Sequence, residues 1–196
     1  MLNMKKLIII EGNDNSGKDT LIERLKSHYN DKTIEVFHCE APKSEDPVEA
    51  EIEQWDFFLD LLDNIFKSES EIIILNRAWY GEYVYGTLYR GRTKDSVLRD
   101  NLNLEILLNK GKQDHKIDSE YYIQLIADSE VLKNNEDGLS ISQGKLDKIE
   151  NEKQLFIEMF NHSKINKVLV EVTENGNYRS KDSIFNQVIN FIENDK

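Results

Sequence analysis

Glu11-Gly12-Asn13-Asp14-Asn15-Ser16-Gly17-Lys18-Asp19-Thr20 follows the run Leu7-Ile8-Ile9-Ile10 and precedes Leu21, Ile22, Leu25 and Tyr29, which repeat at helical spacing. Two glycines five positions apart, with a lysine directly after the second, let the backbone curl until successive N–H groups and the first turn of the next helix converge on a phosphate. A lysine so placed is expected to reach the β and γ phosphates of ATP, which makes Lys18, with Gly12, Asn13, Asn15, Ser16, Gly17, Asp19 and Thr20, the candidates for holding the donor's phosphates. The strand before and the helix after supply the context this spacing demands. Position 19 departs from the usual pattern: where a serine or threonine hydroxyl meets Mg²⁺, this chain has Asp19. A carboxylate oxygen can hold Mg²⁺ directly or through water, and Thr20 is adjacent, so both are candidate metal ligands.

Outward from this loop, short β-rich runs alternate with longer segments of helical period. Lys6–Ile10, Thr33–His38, Ile72–Leu75, Tyr121–Ala127 and Lys167–Val172 are the predicted strands, several of them apolar on both faces. That is the pattern of a parallel sheet covered by helices on each side. Val48, Ile52, Trp55, Leu59, Leu62 and Phe66 mark an apolar stripe on a second helix, which opens with Asp46 as cap and Pro47 in its first turn. Leu146, Ile149, Phe156 and Met159 mark another helix, and Ile184, Val188, Phe191 and Ile192 the last. The polar stretch Lys110–Glu120 reads as a loop, and Glu193–Lys196 as a solvated helix end. The alternation predicts a doubly wound α/β fold.

Composition narrows the function. With 196 residues the chain suits one domain spanning 1–196. Its 25 Lys+Arg against 37 Asp+Glu give a net charge of −12, which disfavours nucleic-acid polymers and anionic lipid as partners. A small anionic ligand then needs a locally positive pocket. The longest apolar runs have four residues, far short of the roughly 20 needed to span a bilayer. Glu11 cuts the apolar stretch after Met1–Lys6 below the ~7–15 residues of a signal-peptide core, so a cytoplasmic location is expected. Cys39, the one cysteine, cannot form an intrachain disulfide. The four histidines show no metal-ligand spacing.

Glu11-Gly12-x-Asp14-x-x-Gly17-Lys18 resembles the phosphate loop of thymidylate kinases, P-loop enzymes that pass the ATP γ-phosphate to a deoxynucleoside monophosphate. Asn76-Arg77-Ala78-Trp79-Tyr80, with Tyr85 eight positions after the Arg, is similar to that family's Asp-Arg-Tyr segment, and Gly144-Lys145-Leu146-Asp147-Lys148 to the end of its lid. The stretch Leu88-Tyr89-Arg90-Gly91-Arg92 looks especially like the small members encoded by phages. The resemblance implies a P-loop NTPase fold: five parallel strands, helices on both faces and a short lid at about residues 132–145. It implies ATP and Mg²⁺ as cofactors and dTMP or a related pyrimidine deoxynucleotide as acceptor. A homodimer through the apolar second and third helices is compatible with it.

By the same resemblance Arg77 is the fork for the acceptor phosphate, Asp14 meets the acceptor sugar or its phosphate, and Tyr85 lies against the deoxyribose. Phosphoryl transfer needs cations and N–H donors more than a strong base, so Lys18, Arg77 and Asp14 are the catalytic candidates. Trp55, Phe57 and Phe58 are candidates for stacking on the base. Three departures stand out. Asn76 replaces the family's Asp, a loss for which Asp19 can compensate. Asp56 falls near the place of the Arg that reads thymine. Neither Asn15 nor the segment Lys133–Gln143 supplies the family's catalytic Arg, which leaves Lys145, Lys148, Arg90 and Arg92 as substitutes. Two further readings stay open: a deoxynucleoside kinase, with Glu40 after the second strand as the base that takes a sugar hydroxyl proton, and an ATP-binding protein that has lost catalysis.

Overall fold

The computed structural model describes residues 5–194, so Met1–Met4, Asp195 and Lys196 lie outside it. Five parallel strands, β1 (Lys5–Gly12), β2 (Ile34–His38), β3 (Ile72–Asn76), β4 (Ile117–Ile126) and β5 (Asn166–Glu171), form one sheet in the order β2-β3-β1-β4-β5. The strands pair with Ile8 opposite both Ile74 and Tyr121, and the register between β1 and β4 shifts by one residue between Lys5 and Lys6. The predicted P-loop architecture, five parallel strands with helices on both faces, is what the chain adopts.

Alternation along the strands divides the core. Leu7 and Ile9 of β1, with Ile73 and Leu75 of β3, face one side; Ile8, Ile10, Ile72 and Ile74 face the other. The first side is covered by α2 (Pro47–Lys67), α3 (Tyr80–Tyr89), α4 (Lys94–Lys112) and α6 (Leu146–His162). The second is covered mainly by α1 (Lys18–His28) and α7 (Lys181–Glu193). Because strand order reverses beside β1, the loops after β1 and β3 open a crevice at the carboxyl edge of the sheet, the usual place for a ligand in such folds.

The helices α1, α2, α6 and α7 lie where the periodicity put them, and Asp46 caps α2 by accepting from the N–H groups of Val48 and Glu49. The buried face of α2 coincides with the expected stripe only in part: Leu62 is buried and Trp55 and Phe66 pack against the core. Ala50, Gln54, Phe58, Leu61, Leu62 and Ile65 turn inward, while Val48, Ile52 and Leu59 are 66%, 57% and 38% exposed. The helix carries apolar side chains on more than one face, so spacing alone placed Trp55, Leu62 and Phe66 correctly and Val48, Ile52 and Leu59 on the wrong side.

Lys110–Glu120 is not one loop: Lys110–Lys112 close α4, and β4 begins at Ile117. The first residues of β4 join the sheet through backbone pairing with β1 and expose Asp118, which no apolar pattern betrays. A short helix α5 (Ser129–Asn134) precedes the segment 135–145, and an antiparallel hairpin, β6 (Thr173–Glu174) and β7 (Asn177–Tyr178), follows β5. Among the described residues no helix is long and apolar enough to cross a membrane.

Candidate functional site

The phosphate loop forms because its two glycines do what no other residue could. A Cβ at Gly12 would lie 2.6 Å from the Leu125 carbonyl oxygen and 2.7 Å from Ser16 Oγ, and Gly17 opens α1 from a left-handed backbone at φ 87°. Asn13 is buried and donates to Glu152 of α6 (2.9 Å), fixing the loop's inner edge. Lys18 folds back over the loop: its Nζ donates to the carbonyls of Gly12 (3.1 Å) and Asn13 (2.7 Å). Burial, reinforced by the nearby Arg77 guanidinium, pushes the Lys18 ammonium down to about 7. An arriving phosphate would restore its charge.

Arg77 leaves β3 in a left-handed turn at φ 68°, an uncommon conformation for a non-glycine residue. Its guanidinium donates to the Gly12 carbonyl (2.8 Å) and to Asp14, and lies over the Tyr85 ring at 5.2 Å. Beneath this turn sits Glu11, fully buried, whose Oε1 accepts from the backbone N–H of Ala78 (2.7 Å) and Gly81 (3.1 Å). Burial raises the Glu11 carboxyl to about 7, against the pull of Arg77. Several buried polar atoms gathered here, Glu11 Oε2, Asn13 Oδ1, Ser16 Oγ and the Tyr85 hydroxyl, have no hydrogen-bond partner among the described residues. Such orphans concentrate where structure serves a purpose other than stability.

Three hollows meet at the loop. A cleft of about 180 Å³ opens toward α2 and α3 and is lined by Asp14, Glu40, Phe58, Arg77, Tyr85 and Arg90. Of the three stacking candidates only Phe58, a member of the core cluster at 4% exposure, reaches the cleft; Trp55 and Phe57 pack against that cluster and do not line it. A central hollow holds Lys18, Asp19, Asn76, Arg77 and His38, with Asp137, Leu139 and Ser140 of the lid segment facing it. The third, of about 360 Å³, lies beyond Asn15, Ser16 and Gly17, between Leu21, Val172, Tyr178 and Ile184. Thr20 faces this third hollow, whereas Asp19 faces the central one, so the two metal candidates are on different sides.

Asp19 and Asn76 are brought together: Asn76 Nδ2 donates to Asp19 Oδ1 at 2.7 Å and lies 3.1 Å from His38 Nδ1. Of the cations offered for the missing lid arginine, Arg90 lines the cleft, paired to Glu82. Arg92 is committed to Glu51 and Asp100, both at 2.6 Å. Lys145 is exposed at the start of α6, and Lys148 lies over the Tyr89 ring at 5.3 Å. Sequence reasoning missed Glu11, Gln54, Glu82 and Glu152. A carboxylate or amide inside an otherwise apolar strand or helix face was the available signal.

The fold has solved counterparts. It is similar to the YorR protein from Bacillus subtilis, solved in complex with phosphorylated GDP, at TM-score 0.62 and 18% identity over 95% of each chain. It is similar to thymidylate kinase from Candida albicans at TM-score 0.61 and 18% identity, over 97% of this chain and 92% of that one. Polyphosphate kinase 2 from Arthrobacter aurescens TC1 aligns at TM-score 0.60 and 9% identity, over 86% of this chain and 61% of that one. No curated protein matches the sequence. The thymidylate kinase likeness read from the motifs thus extends to the fold, but the family model that matches is a different one. The model for polyphosphate kinase 2 (PPK2) covers residues 2–118, which take in the phosphate loop and the Arg77 turn, and the chain belongs to that family of P-loop kinases.

Proposed function

We propose that the protein transfers the γ-phosphate of ATP to a deoxynucleoside 5′-monophosphate, with dTMP or a related pyrimidine as acceptor. The observation that carries this reading is the arrangement of the cleft and the third hollow on opposite sides of one phosphate loop, with Lys18, Asp19 and Arg77 between them. An in-line displacement needs donor and acceptor on either side of a charge-neutralising centre.

In this reading Gly12, Asn13, Asn15, Ser16, Gly17 and Lys18 hold the donor phosphates. Arg77 exchanges its contact with Asp14 for the acceptor phosphate, a bidentate partner that suits a guanidinium better than a single carboxylate oxygen. Asp14, so released, faces the acceptor sugar beside Glu40, with Tyr85 against the ring and Phe58 against the base. The donor base lies in the third hollow, where Leu21, Val172 and Ile184 supply apolar walls. The lid segment 135–145 closes the central hollow and keeps water from the transferring group.

The residues fit Mg²⁺. That cation takes one or two carboxylates and completes its shell with water and substrate phosphates, and Asp19 offers one carboxylate, held by Asn76, at the edge of the central hollow. When bound there, Mg²⁺ would neutralise charge on the transferring phosphoryl group. Thr20, turned to the other side, is left to the donor.

The family match favours a second reading, in which polyphosphate replaces ATP as donor. A polyphosphate chain needs a track of free cations. Arg24, Arg179 and Lys181 line the third hollow, but Arg24 is paired with Asp182, and Arg179 donates to Gln187, Ser183 and the Glu171 carbonyl, so among the described residues Lys181 alone is uncommitted there, and one cation does not make a track. ATP is therefore the donor proposed. Incubating the protein with each deoxynucleoside monophosphate and either ATP or polyphosphate, then resolving products by ion-exchange chromatography, tests both. Diphosphate formed with ATP supports the first reading and diphosphate formed with polyphosphate alone supports the second. No diphosphate from any pair overturns both, and so would product formed undiminished by Lys18→Ala protein.

A further inference from the structure

The acceptor cleft contains a polar group that the assignments above leave unused. Gln54 lies on α2 one turn before Phe58, so the two side chains share a helix face, and both line the cleft. Gln54 is 4% exposed, yet its amide has no hydrogen-bond partner among the described residues. Unlike the Tyr85 hydroxyl it is not sealed off, and its polar atoms keep access to the cleft. An amide with two donors and a carbonyl becomes costly when a ligand covers it and displaces its water without pairing it. A ligand edge that satisfied it would therefore be favoured over one that did not.

Arg90 stands in the same lining and spends Nη1 on Glu82, leaving its other N–H donors without a partner among the described residues. Glu82 is the carboxylate beside it, but its oxygens are committed to Arg90 and, at 3.8 Å, to Arg92. The lining thus offers free donors from a guanidinium, an amide that can both give and accept, and, among the described residues, no uncommitted carboxylate other than Glu40, since Asp14 is held by Arg77. A carbonyl oxygen suits the guanidinium, and a ring N–H beside it suits the amide carbonyl. An exocyclic amino group would instead set donor against donor at Arg90.

We propose that Gln54, together with Arg90, reads the acceptor base, and that the base taken is one presenting a carbonyl next to a ring N–H: thymine, uracil or guanine in preference to cytosine or adenine. This inference rests on the reading of the cleft as the acceptor site.

The test compares KM and kcat for dTMP, dUMP, dGMP, dCMP and dAMP in wild-type, Gln54→Leu and Gln54→Glu protein, with calorimetric binding of the same monophosphates alongside. Wild-type protein is expected to prefer the carbonyl-bearing bases by about tenfold or more in kcat/KM. Gln54→Leu should raise KM for those bases by about tenfold or more and erase the preference while kcat stays within a few fold. Gln54→Glu, which only accepts, should move the preference toward dCMP and dAMP. A leucine variant with unchanged relative affinities overturns the inference, as does a wild-type preference for amino-bearing bases. If the leucine variant fails to fold, the glutamate variant's binding preference decides in the same way. Wild-type protein that neither binds nor phosphorylates any monophosphate overturns the acceptor reading itself, a result distinct from altered selectivity.

Discussion

Exchanging Asp19 and Asn76 should separate a working carboxylate from a mere hydrogen bond. The wild-type pair places one carboxylate against one amide at 2.7 Å across the mouth of the central hollow. Asp19→Ser leaves no carboxylate there, and Asn76→Asp leaves two within contact distance, one of which must take up a proton to relieve the repulsion. A hydrogen bond to a charged group is worth about 1.5–3 kcal/mol, and exchanging the proposed carboxylate ligand of the metal for a neutral hydroxyl, with Asn76 supplying no charge, adds to this. Asp19→Ser is therefore expected to lower kcat about a hundredfold and to raise the Mg²⁺ concentration needed for half-maximal rate. Asn76→Asp should lower kcat about tenfold near neutral pH. The double variant Asp19→Ser/Asn76→Asp restores one carboxylate and one neutral partner and should return to within about tenfold of wild type, a coupling of about 2 kcal/mol or more. The assay is ADP release with a monophosphate acceptor across a Mg²⁺ titration, with thermal unfolding of each variant as control. Losses that simply add, within about 0.5 kcal/mol, would show that the two positions act independently and that Asp19 does not replace the missing aspartate.

Three further expectations concern the loop. Lys18 has its folded value lowered to about 7 from 10.5, so the unfolded chain binds more protons between those values. Stability from this group accordingly rises with pH across that window, and denaturant titrations should lose the rise in Lys18→Met protein. Glu11 has its folded value raised to about 7 from 4.5, so the folded chain binds more protons in that window. Stability then falls as pH climbs through it, by up to about 3 kcal/mol, and Glu11→Gln should flatten that fall; an unchanged slope would mean that the Glu11 carboxyl titrates normally. Gly12→Ala forces a methyl against the Leu125 carbonyl and Ser16 Oγ. It should destabilise the fold by about 2 kcal/mol or more, and calorimetry should find ATP binding lost.

The sheet was legible because isoleucine and leucine runs declare strands buried on both faces, and the loop because glycine spacing, strand and helix all had to agree. The helix α4 was not, since Asn101 and Glu105 occupy inward positions between Val97, Leu104 and Leu108 and break the apolar rhythm. Glu105 belongs inside because it accepts from the Tyr80 hydroxyl and the Lys164 N–H, partners far along the chain. The hairpin after β5 carried a readable signal: Asn175-Gly176, both at positive φ, is the pair a tight two-residue turn requires. In the acceptor cleft, residue identity pointed to Phe58, Arg77 and Tyr85, whereas Gln54 could be placed only once the helix's true inward face was known.

That hairpin reaches farther than its four strand residues suggest. The Tyr178 hydroxyl donates to the Asn15 carbonyl at 2.9 Å, and the Asn15 side chain donates to the Asn135 carbonyl at 3.4 Å. One residue at the outer bend of the loop is therefore moored to two distant stretches of chain. Tyr178→Phe, which removes the first mooring, should be felt as altered grip on the proposed triphosphate, although that side chain does not need to touch it.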